Sequence, residues 1–196
     1  MKSPIQTVLG PAWKQLPLAL RIHHAAGACI DTGYLDIDYP AWMQKILNLL
    51  YMFGALINQR GRGLSTEVRK DMHQGRQSWQ RRITLPGGVV KRFNSEWHPL
   101  PSGEVEEQIS RVLSLRMRPS VHAGCLHYAG TCYVLRLARL NLQVPEWLLL
   151  GHTTIVETAL SPDSFAMDFR LVHPWFGQLY RYAGVFHTAI EISGRA

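Results

Sequence analysis

A histidine beside a tyrosine is the simplest pair in this sequence for moving a proton. The stretch HPWFGQLYRYAGVF, residues 173–186, holds His173, Trp175, Phe176, Tyr180, Tyr182 and Phe186. Read as a strand, it puts Tyr180, Tyr182 and Phe186 on one face with Gly184 between them. Such a face is apolar with polar tips, and buried hydroxyls need partners from packing, water or a ligand. Imidazole titrates near neutral pH, so His173, or His24 from the N-terminal part, is the candidate general acid or base, with Tyr180 and Tyr182 beside it. The same rings suit the wall of a ligand pocket, where Trp175, Tyr180, Tyr182 and Phe186 would touch an apolar molecule. The plainer alternative packs them against the N-terminal helices.

Charged groups on strands that otherwise look inward form a second set. Arg92, Glu157, Asp168, Arg170 and Arg181 are expected to converge in the mouth or interior of a curved sheet. A buried Arg requires a carboxylate partner, which Glu157 or Asp168 would supply. The outcome is either a structural clamp or an anchor for the acidic head of a ligand.

Other chemistries lack their residues. There is no GxSxG, and Ser161 and Ser164 flank a plain SPDS turn. GRGLST has no lysine to hold a phosphate, and no strand, glycine loop and helix surround it. Cys29, Cys125 and Cys132 are odd in number and without CxxC spacing, so neither a disulfide framework nor a structural zinc site is indicated. His23 and His24, adjacent on a helix, point about 100° apart and are not expected to serve one ion. His122, His127, His152 and His173 are scattered over different segments. The expectation is no metal and no cofactor.

The elements that must position these residues come in two kinds. Residues 1–60 read as helical, with one helix over 11–25, where Trp13, Leu16, Leu20 and His24 recur at helical spacing, and another from Pro40 to about Ile57. The longest apolar run, ILNLLYMFGALI at 46–57, has twelve residues, short of the roughly 20 that span a bilayer. Residues 42–57 present a broad apolar face that either packs on a sheet or, with Arg60 and Arg62, lies on a membrane surface.

From about residue 66 to 196 the period changes to two. WQRRITLPGGVVKRF, 79–93, predicts a hairpin around Pro86-Gly87-Gly88. Further strands are expected at 108–118, 121–128, 131–140, 152–160, 164–172 and 178–190. In SFAMDFRL, Phe165, Met167, Phe169 and Leu171 alternate with polar neighbours, as in an antiparallel strand wet on one side. WLLL at 147–150 fits a loop plug or a strand start.

Composition bounds the rest. With 196 residues, 46% hydrophobic and 18% charged, the chain has enough apolar mass for one folded domain over 1–196. The net charge of +7 suits an anionic partner or simple solvation. Its arginines are spread out rather than clustered on one helix, so nucleic acid is not expected. No apolar signal core precedes the early prolines, which implies a cytoplasmic protein, with peripheral contact to the inner membrane as an option.

Three segments in order, LGPAWKQLPLALRIHH (9–24), SWQRRI with KRFNSEW (78–83 and 91–97) and HPWFGQLYRYAGVF (173–186), make the chain resemble the domain of unknown function 4166 (DUF4166) family, a bacterial group found alone or behind dehydrogenase-like domains. The middle departs from that pattern at PLPSGEVEEQISRV. The resemblance implies no activity and no catalytic residues.

The expected fold is α+β: a strongly curved antiparallel meander or barrel of about eight strands, covered by two N-terminal helices. Its expected function is binding of a small hydrophobic or lipid-like, optionally acidic, ligand in the cavity of the curved sheet. A cofactor-free isomerase or cyclase, or a membrane-surface or interaction module, are the alternatives. Oligomeric state is left open.

Overall fold

The computed structural model describes residues 1–137 and 140–190. Eleven strands form one antiparallel sheet: β1 (Cys29–Asp38), β2 (Gly61–His73), β3 (Arg76–Thr84), β4 (Val90–Pro99), β5 (Val105–Gln108), β6 (Leu113–His122), β7 (Cys125–Leu137), β8 (Leu140–Pro145), β9 (His152–Ala159), β10 (Ser164–His173) and β11 (Gly177–Ile190). Their order is β6-β5-β4-β3-β2-β1-β11-β10-β9-β7-β8, and β6 also pairs with β7. Ten strands therefore close into a barrel, and β8 extends from β7 outside the ring. A barrel buries its edges, which an open sheet of this length would expose.

The expected architecture holds with corrections. Among the described residues there are ten barrel strands and one extra rather than about eight. The span 1–60 is not all helical, because β1 runs through it and supplies the closing seam: Cys29 pairs with Ile190 and Asp38 with Arg181. The helix expected over 11–25 is broken. Helix α1 (Pro4–Leu9) is capped by the Ser3 side chain, a 3-10 turn covers Gly10–Gln15, and α2 (Leu18–His23) restarts after Pro17. Proline disfavours helical geometry in the residue before it, and Leu16 is extended at ψ 138°. The second helix is shorter than expected, a 3-10 turn Ala41–Met43 leading into α3 (Gln44–Met52). The hairpin at 79–93 forms as β3 and β4, with Gly87 and Gly88 at φ 84° and 82° in its turn.

Smaller differences follow from turns. The strand expected at 108–118 is split by a break at 109–112 into β5 and β6, and the one expected at 121–128 is cut by the Ala123–Gly124 turn. The expected 131–140 strand lies mostly in β7, and its residues 138 and 139 fall outside the described residues, as do 191–196 of the expected domain. WLLL enters a one-turn helix, α4 (Glu146–Leu149).

Alternation along the strands fills the barrel. Phe165, Phe169 and Leu171 of β10 are buried while Arg170 and Val172 face solvent. Helix α1 lies against β4, β5 and β6, and α2 against β1, β9, β10 and β11. Together they close one end of the barrel. The other end is covered by Tyr39, Met43, Leu47 and residues 55–57, all buried.

Candidate functional site

Among the described residues, small cavities lie inside the barrel, and two of them adjoin. The first, about 40 Å³, lies below α2 and is walled by Trp79, Trp97, Phe165 and Phe186, with His23, Glu157 and Arg81 among its polar lining. The second, about 30 Å³, lies towards the α3 end and is walled by Ala55, Phe93, Leu115 and Phe169. Tyr182 and Glu107 line both. Outside the second cavity is an apolar groove of about 340 Å³, bounded by Phe53, Val112 and Leu149. Leu113, Tyr133 and Leu150 are common walls of groove and cavity. The three spaces are thus strung in a row from the exposed end to the buried histidines.

Inward alternation places a charged pair at the middle of this row. Gln77, Trp79 and Ile83 of β3 are buried, and Arg81 shares their face. Its guanidinium donates to Ser95 Oγ at 2.9 Å and to Glu107 Oε1 at 3.3 Å, while Ser95 donates to the same carboxylate oxygen at 2.6 Å. Arg81 also lies 5.1 Å over the Trp79 ring and 4.8 Å over Phe93. The Tyr182 ring stacks on Phe169 at 4.5 Å. Among the described residues its hydroxyl has no hydrogen-bond partner, and burial raises its pKa.

A second polar cluster sits at the α2 end. His24 Nε2 is 2.6 Å from Glu157 Oε2, and the Tyr128 hydroxyl is 3.1 Å from the same nitrogen. His23 Nδ1 is 2.9 Å from Asp31 Oδ2, and Lys70 Nζ lies 2.6 Å from that carboxylate oxygen. All six of these ionisable side chains are buried. Desolvation pushes the His24 imidazolium down to about 4, against the attraction of Glu157. Burial would raise the carboxyl pKa of both Asp31 and Glu157, but the surrounding histidines, and Lys70 for Asp31, hold both below the ordinary range. His24 terminates α2 at φ −102°, ψ 13°, outside helical geometry. That departure corrects the expected divergence of the two rings, whose centroids stand 4.3 Å apart.

The expected site residues divide between interior, surface and the two ends. Glu157, Tyr182 and Phe186 line the cavities. Tyr180 is buried and donates its hydroxyl to the Ile57 carbonyl at 2.9 Å, a structural bond. His24 and His173 do not meet. Phe165 touches the His23 ring at 4.1 Å, and eight residues of β10 then place His173 roughly 25 Å away. There His173 Nδ1 accepts the Trp175 backbone N–H at 3.2 Å and fixes the turn. Trp175 is 71% exposed on that turn.

The expected convergence of arginines in the interior is corrected. Arg92 is exposed and pairs with Arg82 on the outer face of the β3–β4 hairpin. Arg170 and Arg181 both bind Asp168 on the barrel exterior, Arg181 with bonds of 2.9 and 3.0 Å. This is a clamp between β10 and β11. Sequence reasoning missed Arg81, Glu107, His23, Asp31 and Lys70. For Arg81 a signal existed, since Trp79 and Ile83 flank it at strand spacing. For Glu107, beside the equally buried Glu106, there was none.

A family described as a domain of unknown function, DUF4166, matches residues 16–186, most of the chain. No match was found among curated proteins. Among solved structures, a bovine odorant binding protein complexed with its natural ligand aligns over 81% of this chain and 70% of that one, at 10% identity and TM-score 0.29. The dehydratase domain of RzxB from Pseudomonas fluorescens aligns over 83% and 77%, at 9% identity and TM-score 0.18. Likeness this loose carries neither ligand nor activity across.

Proposed function

We propose that this chain, which belongs to the domain of unknown function 4166 family, binds a small hydrophobic or lipid-like molecule along the row of spaces inside its barrel. One observation carries this reading: groove and two cavities share walls in sequence, Leu113, Tyr133 and Leu150 first and then Tyr182 and Glu107. An apolar chain entering from the exposed groove would meet apolar walls and then Arg81 and the unpartnered Tyr182 hydroxyl, which suit an acidic or hydroxylated head. The inner cavities have room for only a few water-sized groups each. The occupant is therefore slender, and the Tyr182 side chain moves when it binds.

The test is native mass spectrometry of the purified protein, before and after organic extraction, followed by displacement of a fluorescent fatty acid. A retained or bindable apolar compound at one equivalent, lost in Tyr182→Trp, is expected. Unchanged probe affinity in Tyr182→Trp would overturn the interior as the binding place.

A second reading, docking on an anionic membrane surface, is favoured by the exposed end of the barrel. Trp42 stands edge-on to Phe176 at 5.9 Å and Trp147 to Trp175 at 6.1 Å. Leu49, Met52 and Phe53 are each at least half exposed beside them, and Lys45, Arg60, Arg62 and Arg111 are exposed around the same end. Rings at an interface with cations around them suit a lipid surface. No helix among the described residues is long and apolar enough to cross a membrane. Such docking would bring the groove to a source of apolar ligand.

A further inference from the structure

We propose that His23, His24 and Glu157 form a binding site for a divalent first-row transition metal, at the floor of the inner cavity. The inference is independent of the ligand reading above. One ligand atom from each of the three side chains lies within 4.8 Å of the others, and all three residues are buried. His23 Nε2 and Glu157 Oε1 are 3.7 Å apart, too far for a hydrogen bond. Among the described residues His23 Nε2 has no hydrogen-bond partner, although it is buried. An orphaned imidazole nitrogen facing a carboxylate is what a cation between them would satisfy.

Charge points the same way. Of the buried carboxylates around the inner cavity, Asp31 has Lys70 at 2.6 Å and Glu107 has Arg81 at 3.3 Å. Among the described residues Glu157 has no lysine or arginine partner, only the two imidazoles. A buried carboxylate without a cation is costly. The outer support of the site is also present. Asp31 sits 2.9 Å from His23 Nδ1, and Lys70 Nζ holds both that carboxylate and the His23 carbonyl, at 2.5 Å. His23 Nδ1 also lies 2.6 Å from Lys70 Nζ, a group that only donates. With Lys70 donating to the carboxylate and the carbonyl, and Nδ1–H donating to Asp31, the Nε2 lone pair faces Glu157, the carboxylate–histidine arrangement that orients metal ligands.

Two imidazoles and one carboxylate suit zinc or iron(II), with a position left for water or ligand. That position is supplied here by the cavity, which His23 and Glu157 both line. A metal on His24 Nε2 takes the place of the proton in the His24–Glu157 hydrogen bond, and that proton moves to Nδ1, which has no partner among the described residues.

The full chain is stripped with chelator and titrated with Zn2+, following bound metal by elemental analysis and calorimetry. One tightly bound equivalent is expected, weakened at least about 100-fold in Glu157→Gln, which preserves shape. The pair His122, exposed, and His127, half-buried, with rings 5.5 Å apart, is a competing surface site, and the His122→Ala/His127→Ala variant should bind zinc as the parent does. Should Glu157→Gln fail to fold, Co2+ added to the parent protein serves: intense visible bands of a four-coordinate site are expected. Absence of bound zinc, loss of binding with His122 and His127, or only the faint spectrum of hydrated cobalt would each overturn the proposal.

Discussion

Arg81 and Glu107 meet inside the barrel at 3.3 Å, with Ser95 bonded to both. Both side chains are shielded from solvent, so removing one leaves the other charged and unpaired. Glu107→Ala and Arg81→Met are each expected to lose about 3–5 kcal/mol, and the double replacement Arg81→Met/Glu107→Leu much less than either single change. Urea denaturation of the three variants checks this. Equal losses in the single and double variants would refute the pairing.

Tyr180 and Tyr182 lie two residues apart on β11 and should answer differently to loss of a hydroxyl. Tyr180→Phe removes the bond to the Ile57 carbonyl and is expected to cost about 1–2 kcal/mol. Tyr182→Phe removes a hydroxyl that has no partner among the described residues and should leave stability within about 0.5 kcal/mol. It should instead weaken binding of a fatty-acid probe several-fold. Thermal melts and probe titrations of both variants separate the two roles.

Asp168 links β10 to β11 through Arg181, while Arg170 of its own strand binds the same carboxylate. Partial burial opposes its ionisation, but the two guanidiniums outweigh that and hold its carboxyl at about 2. A depressed folded pKa adds stability above the unfolded value of about 3.9, and this is lost as pH falls towards 2. The site is partly wet, so Asp168→Asn is expected to cost only about 1 kcal/mol at pH 7. Parent and variant stabilities should converge near pH 2, as measured by denaturation across that range.

If the apolar end touches lipid, Trp42→Ser with Phe53→Ser should lower co-sedimentation with anionic vesicles by about tenfold or more, since each ring loses its burial. Arg60→Gln with Arg62→Gln should weaken it at low salt and have little effect near ~0.5 M, where surface charges are screened. Equal binding by all three proteins would exclude this end as the contact.

How far the sequence reaches is clear strand by strand. Regular alternation made β10 legible, and a proline–glycine turn revealed the β3–β4 hairpin. Strand β1 was hidden because its inward positions include Asp31 and Gly33 between Cys29 and Leu35, so the apolar rhythm is broken. The reason is a buried ion pair: Asp31 is turned inward to Lys70 and His23. The same logic explains the site. Arg92 and Arg170 look like their inward counterpart Arg81 in composition, and only register separates them. The meeting of His24 with Glu157 spans 133 positions and depends on closure of the barrel, which no local pattern encodes.

That closure has a consequence for synthesis. The seam joins Cys29 to Ile190, so every residue through Ile190 must leave the ribosome before the ring can shut. Until then β1 offers an unpaired edge to any neighbouring strand. Folding of this barrel should accordingly be slow, and its nascent form a natural client for chaperones.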